Sequence, residues 1–239
     1  MPVLMVSGTG TEVGKTVVTA AVAAAARARG RSVAVLKPAQ TGVGTAERGD
    51  ADEVVRLAGD GVTARELARY PEPLAPETAA RRARMATVRP EDVADAAGKL
   101  AAEHDLVLVE GAGGLLVRYD EGGGTLADAA RLLDAPVLVV AAAGLGTLNL
   151  AALTGEALRA RGLAQLGVVV GSWPGSPGLA ERCNVTDLPA AAGAPLLGAV
   201  PAGAGGLAPE AFRASAPAWL GAELDGTWDA AAFARSVGA

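Results

Sequence analysis

Residues 8–16 read Gly8-Thr9-Gly10-Thr11-Glu12-Val13-Gly14-Lys15-Thr16, and they directly follow the apolar run Val3–Val6. An alanine-rich segment, predicted as a helix over Thr16–Arg29, comes next. This order of strand, glycine-rich turn and helix lets backbone N–H groups and a helix N-terminus bind phosphate. In such a loop Lys15 reaches the β- and γ-phosphates, and the Thr16 hydroxyl binds Mg²⁺. The sequence therefore predicts a nucleotide-binding loop; the alternative is a structural turn with an exposed lysine.

The composition favours one α/β domain over residues 1–239. Hydrophobic residues make up 51% of the 239-residue chain, the net charge is −5, and Cys183 is the only cysteine, which excludes an internal disulfide. Nucleic acid is not expected as a partner, because Lys and Arg form no block and aromatic residues account for only 3%. The nearest basic group, Arg81, Arg82 and Arg84, is interpreted as a solvated helix face.

The N-terminal residues lack the basic flank of a signal peptide, and no apolar stretch is long enough to span a bilayer. We therefore expect a cytoplasmic protein with no membrane association.

Short apolar runs alternate with longer alanine- and leucine-rich segments along the chain. Uninterrupted apolar runs are typical of parallel strands that are buried on both faces, and the alternation predicts helices on both sides of the sheet. The fold class is therefore α/β, a single doubly wound domain with a mostly parallel sheet. The predicted strands are Val3–Val6, Val33–Leu36, Leu106–Val109, Val137–Val140, Gly167–Val170 and Leu196–Val200; the predicted helices are Thr16–Arg29, Ala51–Leu57, Pro90–Glu103, Thr125–Leu133, Thr147–Arg161 and Gly178–Ala192. The residues after Pro201 are less regular, and Trp219 and Trp228 are interpreted as core anchors of a closing helix.

Two charged residues directly follow predicted strands. Lys37 follows the second strand, and we favour a negatively charged ligand for it over solvent. Glu110 follows the third strand, where a carboxylate opposite a phosphate-binding loop suits Mg²⁺; the alternative is a cap on the next turn. Ligands bind at this end of a parallel sheet, so both residues are candidates for the site.

Asp50 opens a predicted helix, and it is either a metal ligand or an N-cap. Asp52 is a rival for the metal role. His104 is the only histidine, which excludes a metal site built from several histidines and disfavours a Ser-His-Asp catalytic site.

Five residues separate Gly8 from Gly14, one more than in the common phosphate-binding loop. This longer loop closely resembles that of the dethiobiotin synthetases. The resemblance extends from Val3 to about Val200, through Lys37-Pro38 with Thr41, Asp50, the stretch Glu110–Gly114 and the stretch Leu145–Asn149. It implies a P-loop NTPase fold.

The resemblance also implies a ligase of biotin biosynthesis. Such an enzyme joins CO₂ or bicarbonate to 7,8-diaminononanoate and closes a cyclic urea, and it splits ATP, or another nucleoside triphosphate, with Mg²⁺. Family members are homodimers that bind the substrate near the interface.

The family's functional positions map onto this sequence as follows. Catalytic roles fall to Lys37, Lys15 and Thr11; nucleotide contacts to Gly10, Thr11, Glu12, Val13, Gly14, Lys15, Thr16, Gly171, Ser172 and Trp173; substrate contacts to Lys37, Thr41, Gly113, Thr147, Leu148 and Asn149; and metal contacts to Thr16, Asp50 and Glu110.

The sequence departs from the family pattern in a few places. Several members have an adenine-reading asparagine after the fifth strand, whereas this chain has Gly171-Ser172-Trp173 there, which leaves base preference open. Position 10 is glycine where many members have aspartate, and Leu150 stands where a histidine is common.

Three rival functions were considered. A partitioning-type ATPase needs a second lysine at the position of Gly10, and an amidoligase normally draws ammonia from a glutaminase domain that this chain lacks. A non-catalytic domain that kept the fold would not need Lys15, Thr16, Lys37 and Glu110 together.

Overall fold

The computed structural model describes residues 2–239. Seven strands form one sheet in the order β3-β2-β4-β1-β5-β6-β7, and every neighbouring pair of these strands is parallel. The strands are β1 Val3–Gly8, β2 Val33–Thr41, β3 Val62–Tyr70, β4 Leu106–Gly114, β5 Val137–Ala141, β6 Gln165–Trp173 and β7 Leu196–Pro201. The α-helices are α1 Lys15–Ala28, α2 Asp50–Ala58, α3 Pro76–Ala83, α4 Pro90–Ala101, α5 Leu126–Leu132, α6 Thr147–Ala160, α7 Leu179–Ala192, α8 Pro209–Ser215 and α9 Ala230–Val237.

Two hydrophobic clusters pack on the opposite faces of this sheet. Along β1 the side chains alternate, so that Met5 joins one cluster and Leu4 and Val6 join the other. Helices α1, α2 and α8 cover the face of Leu4, and the remaining α-helices cover the face of Met5. The doubly wound α/β architecture predicted from the sequence is confirmed. Among residues 2–239, no helix combines the length and apolarity needed to cross a bilayer.

Strand β3, Val62–Tyr70, was not predicted. Its first and last residues are buried, whereas the residues between them are exposed or half-buried and include Arg65 and Arg69. The reason is its position at the edge of the sheet, beside β2 only. Charged residues on an exposed edge discourage pairing with other chains, and here they replace the apolar run; the other edge strand, β7, is buried along most of its length and keeps that run.

Strands β2 and β4 are longer than predicted. Lys37 and Glu110 therefore lie within strands rather than after them. Strand β2 continues through Pro38. It pairs with β4 only as far as Leu36, and beyond Leu36 it pairs with β3 alone. An unpaired strand edge tolerates a residue without an N–H group.

The C-terminal segment folds over both faces of the sheet. Trp219 packs edge-on against Phe212 at a ring-centroid distance of 5.3 Å, and Trp228 lies 5.3 Å from Phe233 of α9. Both tryptophans are half-buried, so they border the core instead of anchoring it as predicted.

Candidate active site

The loop between β1 and α1 has the backbone shape of an anion cradle. Gly14 has φ 93° and Glu12 has φ 60°, the left-handed conformation that turns successive N–H groups inward. A Cβ on Gly14 would lie 2.5 Å from the carbonyl oxygen of Gly171. The loop therefore depends on a glycine at position 14 both for its backbone conformation and for its close packing against β6.

Lys15 is folded into this loop. Its side chain is 8% exposed, and Nζ donates a hydrogen bond of 2.9 Å to the carbonyl oxygen of Gly10. Burial, followed by the nearby charge of Lys37, lowers the pKa of Lys15 below its ordinary value. An anionic ligand would stabilise the charged form of Lys15, and it would thus offset both the burial and the repulsion from Lys37.

Lys37 is buried and lies between two carboxylates, one buried and one partly exposed. Its Nζ is 2.8 Å from Glu110 Oε1 and 2.5 Å from Asp50 Oδ2. The Thr16 hydroxyl donates a 2.9 Å hydrogen bond to the same Oε1 atom of Glu110. Burial alone would lower the pKa of Lys37, but Glu110 and Asp50 outweigh it and raise the pKa. Lys37 is therefore a permanent cation at neutral pH.

The structure separates the roles of Asp50 and Asp52. Asp50 faces Lys37, whereas Asp52 Oδ2 accepts a 2.9 Å hydrogen bond from the N–H of Gly49 and lies 3.6 Å from an Arg69 nitrogen. The N-cap of α2 is Gly49, so the alternative reading of Asp50 as an N-cap is wrong. Asp52 instead closes the first turn of the helix.

These residues meet in one cleft at the carboxyl ends of β1, β2 and β4. Its volume is about 780 Å³, within the range of small-molecule sites. Ten of the predicted site residues line it: Thr11, Glu12, Gly14, Lys15, Thr16, Lys37, Thr41, Asp50, Glu110 and Gly113.

The other predicted residues lie outside this cleft. Val13 packs against the core, and Gly171 packs beneath the loop, where a Cβ would overlap the carbonyl oxygen of Val13. Trp173 makes an edge contact with Phe233 at 5.0 Å. Gly10, Ser172, Thr147, Leu148 and Asn149 are likewise absent from the lining. Within one chain, the start of α6 and the end of β6 are therefore separate from the charged cluster.

Sequence reasoning missed several lining residues. The segment Pro73–Pro76 follows β3, and its place in the cleft depended on that unpredicted strand. Tyr119 is buried below the site, and its hydroxyl accepts a 3.2 Å hydrogen bond from the N–H of Ala112. Gln40 lies between Lys37 and Thr41 and also lines the cleft, but a glutamine at that position does not by itself predict a role.

Comparison with known proteins identifies the family. A family model described as an AAA domain matches residues 3–205. The chain is 72% identical over 236 residues to a Streptomyces avermitilis protein named ATP-dependent dethiobiotin synthetase BioD, with 99% of each chain covered. The chain belongs to the dethiobiotin synthetase family. A Streptomyces coelicolor protein of the same name is 71% identical over 233 residues, with 98% of each chain covered.

A solved structure shows the fold class of this dethiobiotin synthetase family member. A ParA family ATPase from Chlorobium tepidum TLS matches 89% of this chain and 90% of its own, with a TM-score of 0.56 and 14% identity. At that identity the likeness concerns the fold alone, and the predicted P-loop NTPase fold is confirmed.

Proposed function

We propose that this enzyme joins CO₂ to 7,8-diaminononanoate and closes the cyclic urea of dethiobiotin, while ATP is split to ADP and phosphate. The single observation that carries the proposal is that Lys15 and Lys37 face one cleft together with the phosphate-binding loop. Their mutual repulsion is part of the cause of the lowered pKa of Lys15. Two cations held this close suit a reaction whose partners are all anionic.

The chemistry has three steps. One amine of the substrate attacks CO₂ and loses a proton, which gives a carbamate. A carbamate oxygen attacks the γ-phosphorus, the bond to the ADP oxygen breaks, and a carbamic-phosphoric anhydride forms. The second amine then attacks the carbamoyl carbon, loses a proton and expels phosphate, which closes the ring.

Positioning and charge stabilisation account for most of the catalysis in this scheme. Lys15 and Lys37 flank the carbamate and the transferred phosphoryl group. Thr11 and Thr41 supply hydroxyl contacts to the carbamate, and Gly113 allows the substrate to approach the backbone. The arrangement of these residues along one cleft supports these roles.

The donor set at the cleft fits Mg²⁺. Glu110 is 1% exposed, and its Oε2 atom is buried without a hydrogen-bond partner among the described residues. Mg²⁺ prefers a few carboxylate and hydroxyl oxygens together with substrate phosphates, rather than a cage made entirely of protein. We assign Thr16, Asp50 and Glu110 to the metal, which would neutralise phosphate charge.

Replacing Glu110 with glutamine is expected to raise the Mg²⁺ concentration for half-maximal turnover at least about tenfold, because an amide oxygen is a weaker metal ligand. A magnesium titration of phosphate release measures this effect. Asp52→Asn is the matched control, since Asp52 Oδ2 accepts from the N–H of Gly49 and lies beside Arg69. An unchanged titration for Glu110→Gln would contradict the metal role.

The choice of nucleotide is the open part of the proposal. The end of β6 offers Gly171, Ser172 and Trp173 but no side-chain amide for reading adenine. Selection of the base therefore rests on backbone groups and on contact with Trp173.

Phosphate release with Mg²⁺, bicarbonate and 7,8-diaminononanoate, in parallel with ATP, CTP and GTP, tests the proposed function. Release that depends on the diamine is expected, and the rates rank the nucleotides. Release that ignores the diamine would overturn the ligase proposal.

The active form in this proposal is a cytoplasmic homodimer, with the carboxylate of the substrate held at the start of the neighbouring subunit's α6. Two observations support the dimer. Leu145, Leu150 and Leu153 are 96%, 44% and 55% exposed on and just before α6. The Thr147 hydroxyl oxygen is buried and has no hydrogen-bond partner in the described chain. A helix N-terminus binds a carboxylate without a basic side chain.

Leu153→Glu is expected to convert the dimer to monomers, because a charge would have to be buried in the interface. Light scattering after gel filtration measures the mass, and turnover should fall with it. Leu132→Glu is the control, since Leu132 is similarly exposed, at 51%, but lies on a different helix, α5. A Leu153→Glu protein that stays dimeric would place the interface elsewhere.

A further inference from the structure

Gln40 connects the strand that carries Lys37 to the helix that carries Asp50. Its side chain is 4% exposed, and Oε1 accepts a 2.8 Å hydrogen bond from the backbone N–H of Asp50. The other end of the amide, Nε2, donates a 3.2 Å hydrogen bond to the carbonyl oxygen of Thr41. One amide thus contacts both Asp50, which is assigned to the metal, and Thr41, which is assigned to the substrate.

This contact replaces a conventional helix cap. The first N–H groups of a helix have no partner within it, and an N-cap side chain normally satisfies one of them. Gly49, the N-cap of α2, has no side chain to do so. Gln40, ten residues earlier and on another element, supplies the missing acceptor for Asp50.

The absence of a side chain at position 49 follows from the same packing. A Cβ there would overlap Glu66 Oε1 and would lie 2.9 Å from an Arg69 nitrogen and 3.0 Å from Gln40 Oε1. The start of α2 is therefore pressed against β2 and β3. Position 49 offers no side-chain acceptor, so the acceptor for the N–H of Asp50 comes from Gln40 on β2.

We propose that Gln40 is a positioning residue for catalysis, which holds Asp50 at the distance that Lys37 and the metal require. The inference rests on the proposed function, because that proposal assigns Asp50 to the metal. The side-chain amide accepts from the N–H of Asp50 and donates to Thr41, so it ties Asp50, which shares Lys37 with Glu110, to the end of β2.

The test compares Gln40→Met, which keeps the length and loses both hydrogen bonds, with Gln40→Glu, which keeps the acceptor. The measurement is nucleotide binding by calorimetry at a series of Mg²⁺ concentrations, without the diamine. Gln40→Met should raise the Mg²⁺ concentration for half-maximal binding about three- to tenfold, the size expected for one lost hydrogen bond. Gln40→Glu should restore most of the response, because its carboxylate accepts the same N–H at a helix N-terminus.

Two controls distinguish an effect on the position of Asp50 from a general loss of protein stability. Gln165→Met removes a half-buried amide at the start of β6 and should leave the Mg²⁺ response unchanged. In an Asp50→Asn background, Gln40→Met should have no further effect on that response. If Gln40→Met does not fold, Gln40→Asn, whose amide is one methylene too short, gives the same comparison.

An unchanged Mg²⁺ response in the Gln40→Met protein, or a shift that persists in the Asp50→Asn background, would overturn the proposal. Because the diamine is absent from the experiment, failure of the ligase reaction would not affect this result.

Discussion

Lys37→Ala is expected to lower kcat by about a hundred- to a thousandfold while nucleotide affinity changes little, a loss typical for a preorganised charge at a reacting centre. Lys37 Nζ lies within 2.8 Å of Glu110 and is buried, so its charge acts where water screens it weakly. The carbamate and the transferred phosphoryl group gain negative charge during the reaction. Losing the cation therefore affects the transition state more than the binding of nucleotide.

Phosphate release measures kcat for this variant, and calorimetry measures nucleotide affinity. Alanine also leaves Glu110 with only the Thr16 hydroxyl as a partner, so the melting temperature must be recorded. Lys99→Ala, at an exposed position on α4, is the matched control and should behave as the unmodified enzyme. Turnover within about threefold of normal would remove Lys37 from the mechanism.

Gly171→Ala is expected to weaken nucleotide binding by about ten- to a hundredfold, although Gly171 lies outside the cleft. The added methyl group would overlap the carbonyl oxygen of Val13 and would lie 2.7 Å from a methyl carbon of Val140. Backbone atoms cannot rotate away as a side chain can, so the phosphate-binding loop itself must shift. Overpacking of this kind also costs about 1–3 kcal/mol of stability.

Calorimetry with nucleotide and a thermal melt check the two effects. Gly175→Ala is the matched control on the same connection, because a Cβ at Gly175 meets no atom within 4 Å. Equal nucleotide affinity for the Gly171→Ala and Gly175→Ala proteins would show that the loop does not depend on this packing.

The phosphate-binding loop could be predicted from the sequence because its parts are adjacent in the chain. Gly14 is the N-cap of α1, and Lys15 and Thr16 are its first residues; the loop before them follows β1, and the apolar patterns of both elements are strong. The inner strands were predicted for the same reason: burial on both faces leaves a continuous apolar run. Strand β3 was not, since its exposed and charged residues leave no such run, and the Pro73–Pro76 wall of the cleft was missed with it.

The sequence by itself determined the fold class, the family and the types of residue at the site. Only the tertiary structure decided which carboxylate meets Lys37 and which one caps α2. It also decided that Gln40 supplies the acceptor for Asp50 and that Gly171 supports the loop. The contacts of Lys37 and Gln40 with Asp50, and of Gly171 with Val13, join different elements, so they depend on how the strands and helices pack. A pattern of residue types along one chain cannot specify distances across the sheet, whereas close packing of the folded core does.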